Sequence, residues 1–117
     1  MLTVEYYMEK DYCPVLEFIH SCSSKEQAKI LREIDLLEEF GPLLGMPYVR
    51  KIEGTDDIWE LRIRLANNQF RLLYFIFSNN KIVMLHGFQK KTQKTPKREI
   101  EMALKRRMKY LIKEDQQ

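Results

Sequence analysis

The chain has 117 residues and a mass of 14.2 kDa, the size of one domain spanning residues 1–117. Apolar residues make up 44% of it and charged residues 32%, enough for a packed core and too apolar for a disordered chain. The net charge is only +3, yet residues 1–58 hold six Lys and Arg against twelve Asp and Glu, and residues 59–117 hold fourteen against five. That division suggests an anionic partner for the second half, the plainer reading being helices with opposite solvated charges. The longest apolar run, near Leu72 to Phe77, is too short to cross a bilayer. The first residues, MLTVEYYMEKDY, do not read as a secretory leader. Cys13 and Cys22 match no zinc or redox spacing, and read as idle thiols of a cytoplasmic protein.

In chain order, residues 2–8 alternate as a strand. Pro14 can open a short helix through Val15, Leu16, Phe18 and Ile19. Ser23 or Ser24, with Glu26 or Gln27 three residues on, forms a capping box. The helix that follows carries Ala28, Leu31, Ile34 and Leu37 as its apolar stripe, with Ile30 beside it, and stops at Gly41-Pro42. A Gly/Pro-rich loop leads to a short extended piece over 48–52 and a turn over 54–57. Three strands are predicted over 58–65, 69–77 and 81–88, separated by the turn signals Asn67-Asn68 and Asn79-Asn80. Such short connections make an antiparallel meander. A polar loop follows, and Thr95 is expected to cap a last helix with Pro96 at its first position and Ile100, Ala103, Leu104, Met108 and Leu111 as its stripe. The tail 114–117 is expected to fray. The expected class is α+β, with a twisted antiparallel sheet of the N-terminal strand plus the meander, packed by N-terminal helices and a C-terminal helix.

The chemistry concentrates in the meander. From Trp59 to Leu65 apolar and polar residues alternate, so Glu60, Arg62 and Arg64 share the wetter face. Arg71 lies in the next strand among Phe70, Leu72, Leu73 and Tyr74. A cation there needs a partner or a cleft. Glu60 could supply a salt bridge, and a phosphate is the other candidate. On strand alternation His86, Phe88 and Lys90 share a face: a proton-transfer group, an aromatic ring and a cation. Lys90, Lys91 and Lys94, with Lys97 and Arg98, form a basic patch around a helix start. Cations from neighbouring strands converging on one face suit phosphate oxygens.

Other chemistries lack their residues. No Ser/His/Asp set stands in a recognisable elbow, neither His20 nor His86 has metal-ligand spacing, and four glycines build no phosphate loop. Acidic residues lie mostly in the first half, which argues against a two-metal nuclease. No metal and no cofactor is expected.

The run Trp59-Glu60-Leu61-Arg62, Phe70-Arg71 with Tyr74, Leu85-His86-Gly87-Phe88, Lys90-Lys91, and Thr95-Pro96 with Glu99 and Ala103 resembles the HigB-like branch of the RelE/ParE toxin superfamily, which includes many phage-derived toxin-like proteins. The similarity spans essentially the whole chain, including Leu36 to Gly41. The resemblance implies a compact RelE-type α+β microdomain. It also implies a cognate antitoxin, HigA-like with a helix-turn-helix, and metal-free cleavage of messenger RNA in the ribosomal A site. By position, Arg62 and Arg64 match basic strand residues that hold RNA phosphates, Arg71 the arginine aimed at the scissile phosphate, and Lys90 and Lys91 the basic pair after the last strand. Some RelE-type toxins carry a tyrosine soon after that pair, whereas Thr92 to Arg98 contains none. ParE-type members act on gyrase, which makes a gyrase-targeting toxin the alternative activity. A non-catalytic module that binds nucleic acid or protein is another.

Metal-free cleavage uses the ribose 2′-hydroxyl as nucleophile, and needs a proton acceptor, neutralisation of the phosphorane and a proton for the leaving 5′-oxygen. Arg71 and Arg62 are expected to meet the phosphorane charge, Lys90 or His86 to move protons, Arg64, Lys91 and Lys94 to hold RNA, and Phe88 or Tyr74 to stack a base.

Overall fold

The computed structural model describes residues 2–116. The elements follow in the order β1 (Thr3–Tyr6), α1 (Pro14–His20), α2 (Ser24–Phe40), a 3₁₀ turn (Gly41–Leu44), β2 (Val49–Lys51), β3 (Trp59–Leu65), β4 (Asn68–Phe77), β5 (Lys81–Lys90) and α3 (Lys97–Asp115). The five strands form one sheet in the order β1-β5-β4-β3-β2. This is the expected α+β, RelE-like architecture, with the meander β3-β4-β5 antiparallel throughout. One pairing differs from the expectation: β1 runs parallel to β5, with Thr3 opposite Lys81 and Tyr6 opposite Met84. The sheet is therefore mixed, because α1, α2 and the first strands of the meander intervene before the partner of β1 arrives.

Both faces of the sheet are covered. On one side α1 and α2 bring Val15, Ile19, Ile30, Ile34 and Leu37 onto Leu61, Ile63, Phe70, Leu72 and Met84. On the other, α3 brings Ala103 and Tyr110 onto Leu73, Phe75, Val83, Leu85 and Phe88. Burial from both sides explains why Phe70 to Phe75 holds apolar side chains at nearly every position instead of alternating. Among the described residues no helix is long and apolar enough to cross a membrane.

The helix starts and faces differ in part from the expectation. Ser23 caps α2 in a capping box with Glu26, as its spacing predicts. The buried seam of α2, however, is Ile30, Glu33, Ile34 and Leu37, while Ala28 and Leu31 face solvent. On α3, Leu104 and Met108 are exposed and Ala103 and Tyr110 are buried. Three side-chain anchors turn α3 this way. The Tyr110 hydroxyl donates to Glu5, Arg106 donates to the Leu85 carbonyl, and Arg107 donates to Asp57 Oδ2, so aromatic and arginine stems occupy the interface. The N-cap of α3 is Pro96, not Thr95. The Thr95 hydroxyl instead donates to Glu60 Oε2 at 3.0 Å. The last helix holds its form through Asp115, further than the frayed tail expected; Gln117 lies outside the described residues.

A register shift sets the chemistry-bearing face. Leu73 pairs with His86, yet the adjacent Tyr74 pairs with Met84, leaving Leu85 as an extra residue in β5. The bulge lets Leu85 pack under α3 and still turns His86, Phe88 and Lys90 to that same side. Gly87 faces α1: a Cβ there would lie 2.6 Å from Phe18 and 2.8 Å from Leu72, so only glycine lets the helix pack this closely.

A candidate phosphate-binding cleft

The cations of the meander meet because of strand register. Arg62 on β3 is the cross-strand partner of Arg71 on β4. Gln69 on β4 pairs with Lys90 on β5, and Arg71 with Phe88. Beyond the end of α3 this face opens into a polar cleft of 660 Å³, lined by Arg62, Gln69, Arg71, Lys90, Lys91 and Thr92 among others.

Arg71 is 3% exposed and held from several sides. One terminal nitrogen donates to the Phe70 carbonyl and the other to Gln69 Oε1, each at 3.0 Å. Its Nε stands 3.9 Å from Glu60 Oε2, while Arg62 Nε stands 3.7 Å from Glu60 Oε1. Neither Nε has a hydrogen-bond partner. Glu60, expected on a wet face, is in fact 2% exposed and lies between the two arginines. One carboxylate thus serves two guanidinium groups, and Thr95 ties its second oxygen to the loop before α3. Lys90 adds a further positive charge at the rim. The local surplus is cationic, and buried N–H donors without partners are costly unless an anion completes them.

Two groups in this cluster lose protons more readily than usual. Burial pulls the Arg71 guanidinium below its ordinary range, with Arg62 adding to the effect and Glu60 opposing it. Burial likewise lowers the Lys90 ammonium, reinforced by the charge of Arg71 and opposed by Glu60.

Of the residues singled out in the sequence, Arg62, Arg71, Lys90 and Lys91 come together in the cleft. Lys94 lines a neighbouring hollow with Lys90, Glu60 and Thr95. Arg64 is exposed and faces an adjoining recess that Arg62 and Arg71 share. His86 and Phe88 do not line the cleft. Arg106 donates to His86 Nδ1 at 2.9 Å, so Nε2 carries the hydrogen and donates to Glu99 Oε1 at 2.7 Å. Burial is the main cause that lowers the His86 pKa, with Arg106 adding to it and Glu99 opposing. With both nitrogens bonded under α3, the ring ties the sheet to that helix. Phe88 is buried and stacks on His86 with centroids 5.7 Å apart, and Tyr74 is buried on the α1–α2 side. Neither ring is free to stack a base.

Sequence reasoning passed over Gln69, which fixes the fork of Arg71, and Thr95 as a clasp on Glu60. It also passed over Tyr48, a half-exposed ring beside the cluster. The spacing Gln69-x-Arg71 on one strand face was the available signal for the first. Among the described residues, no three His, Cys, Asp or Glu side chains gather as a metal site would need.

Comparison with known proteins points to one family. The family described as "Phage derived protein Gp49-like (DUF891)" matches residues 17–108. Two curated relatives, both named "Probable endoribonuclease HigB1" and from Mycobacterium tuberculosis strains CDC 1551 / Oshkosh and ATCC 25618 / H37Rv, are each 47% identical over 58 residues. That match covers 50% of this chain and 44% of each relative, so the chain spans less than half the length of these proteins. The family match runs from within α1 to within α3 and takes in the whole meander with its cationic cleft, and on that ground the chain belongs to the phage-derived Gp49-like family, within the HigB-like branch of the RelE/ParE toxins.

Proposed function

We propose that this protein is the toxin of a toxin–antitoxin pair, an endoribonuclease that cuts messenger RNA at the ribosome and is neutralised by a HigA-like helix-turn-helix antitoxin. The observation that carries the reading is the buried Arg71 beside Arg62, two cations sharing one carboxylate at the floor of an open cleft. The name of the relatives, "Probable endoribonuclease HigB1", supports RNA as substrate.

In this reading the scissile phosphate sits over Arg71 and Arg62. The neutral amine of Lys90 takes the proton of the ribose 2′-hydroxyl. The 2′-oxygen bonds to phosphorus, and the phosphorane charge is met by guanidinium donors already in place. The bond to the 5′-oxygen breaks, that oxygen takes a proton from water, and the products are a 2′,3′-cyclic phosphate and a 5′-hydroxyl. The lowered pKa of Lys90 favours its amine form for the first step. Each preorganised contact of this kind is worth roughly 3–4 kcal/mol in the transition state. Arg64, Lys91 and Lys94 hold the flanking strand, and His86 acts as a structural support. A site with so few reacting groups relies on an external scaffold to fix RNA geometry, which is the role assigned to the ribosome.

The test is inducible expression with separate readouts of translation and DNA integrity. Rapid loss of translation with intact DNA, and cuts in translated frames only, is the expected result. Cuts on naked RNA as well would make it a free ribonuclease. DNA damage with intact messages would make it a gyrase-directed toxin, and neither effect would leave a non-catalytic binding module.

A further inference from the structure

Beside the phosphate cleft lies a second recess of 340 Å³ that shares Arg62, Gln69 and Arg71 with it. Its remaining wall is different in character, formed by Tyr48, Pro47, Lys29 and Glu33 with Ile63 and Arg64. Tyr48 is 49% exposed, and its backbone is anchored to β3 because the Arg62 N–H donates to the Tyr48 carbonyl at 2.8 Å. Glu33 is only 9% exposed, an acid set in the apolar seam of α2 between Ile30 and Ile34. Lys29 Nζ lies 3.4 Å from Glu33 Oε1. A carboxylate is seldom this buried unless it is paired, and the Lys29 contact engages only one of its oxygens.

We propose that this recess binds a guanine base, stacked on Tyr48 and read along its Watson–Crick edge by the Lys29–Glu33 pair. The inference rests on the RNA-cleaving reading above and adds a base preference to it. The Lys29 ammonium offers donors, and the Glu33 carboxylate beside it offers two acceptor oxygens. Guanine presents the complement: the O6 acceptor, then the N1–H and N2–H donors. Uracil offers one donor between two acceptors, so its O2 would face a carboxylate oxygen. Cytosine and adenine each set a ring nitrogen acceptor against the carboxylate. Charge-assisted pairs of this kind discriminate strongly when the acid is withdrawn from water. A tyrosine face supplies stacking that is indifferent to base identity. Because Arg62 and Arg71 border both hollows, a base in the recess belongs to a nucleotide adjoining the phosphate in the cleft.

The experiment titrates the purified full chain with GMP, AMP, CMP and UMP, followed by tyrosine fluorescence and by NMR. GMP is expected to bind roughly tenfold or more tighter than UMP, the discrimination typical of one good bidentate pair. Glu33→Gln, which offers one acceptor where there were two, removes the preference and leaves overall phosphate binding. Tyr48→Ala weakens all four nucleotides together, and Tyr48→Phe does not. A thermal melt of each variant separates lost binding from lost folding, and the exposed Tyr48 supplies a variant that does not disturb the seam. Equal affinity for the four nucleotides, or an unchanged preference in Glu33→Gln, would overturn the assignment. The two readings fail separately: a chain that prefers GMP but cuts no RNA loses the ribonuclease and keeps the recess. A chain that cuts RNA with no base preference loses only the recess.

Discussion

Arg62 and Arg71 stand opposite one another on neighbouring antiparallel strands and lean on the same buried acid, Glu60. Like charges paired directly across a sheet repel one another. The pairing persists here because one carboxylate lies between them and because Gln69 and the Phe70 carbonyl hold the Arg71 fork. The arrangement is left short of negative charge by design of its register, and an incoming phosphate would supply it.

In the proposed mechanism Lys90 carries the proton step, so its charge and its titration separate cleanly. Lys90→Arg keeps a cation in the cleft but has no amine to deprotonate near neutral pH. RNA binding should change little while cleavage falls by roughly 10² to 10⁴-fold. In the unsubstituted protein the single-turnover rate should rise with pH and level off below 10.5, the ordinary lysine value from which burial and Arg71 pull the group down. A rate independent of pH through the alkaline range would remove Lys90 from that role.

Lys91 and Lys94 are exposed, and the proposed function gives them the flanking RNA strand alone. Lys91→Ala and Lys94→Ala should each weaken binding to single-stranded RNA and reduce the slope of log K against log salt by about 0.7. Cleavage at saturating RNA should be unchanged. The check is a salt titration by fluorescence anisotropy beside a saturating-rate measurement.

His86 predicts a pH signature in stability, not in rate. Its folded pKa lies below the ordinary 6.5 because burial disfavours the charged ring. Between that lowered value and 6.5 the unfolded chain binds more protons than the folded one, so stability should fall as the pH drops through this window and level out beneath it. His86→Gln should flatten the melting temperature across the same window. Parallel curves for the two proteins would refute this placement of the ring.

Gly87→Ala tests the packing of α1 on the sheet. The new methyl group would meet Phe18 and the fully buried Leu72, and overpacking of this kind costs about 1–3 kcal/mol. Chemical denaturation should show that loss with an unchanged m-value.

Much of this architecture is legible in the residues. Asn67-Asn68 and Asn79-Asn80 mark the meander turns, and alternation places Arg62, Arg71 and Lys90 on one side of it. What alternation cannot say is where α3 ends. The helix covers His86 and Phe88 and leaves Lys90 open, so three residues on one face have different fates. The face of α3 was misjudged for a related reason: Arg106 and Arg107 look like solvent residues until the Leu85 carbonyl, His86 and Asp57 are folded against them. The parallel partner of β1 lies some eighty residues away in the chain and leaves no local mark. Glu33, by contrast, was readable. An acid at the helical spacing of Ile30, Ile34 and Leu37 sits in the buried seam by period alone, whereas Ala28 and Leu31 lie off that seam.

The most direct measurement is the chemistry of RNA ends in cells expressing the chain or its Arg71→Lys variant. Lysine keeps one charge but lacks the planar fork that Gln69 and the Phe70 carbonyl orient. New 5′-hydroxyl ends opposite 2′,3′-cyclic phosphates, confined to translated frames and reduced roughly 10² to 10³-fold in the variant, are the predicted result. Growth arrest with no new RNA ends, or the same ends at the same frequency without the Arg71 guanidinium, would contradict it.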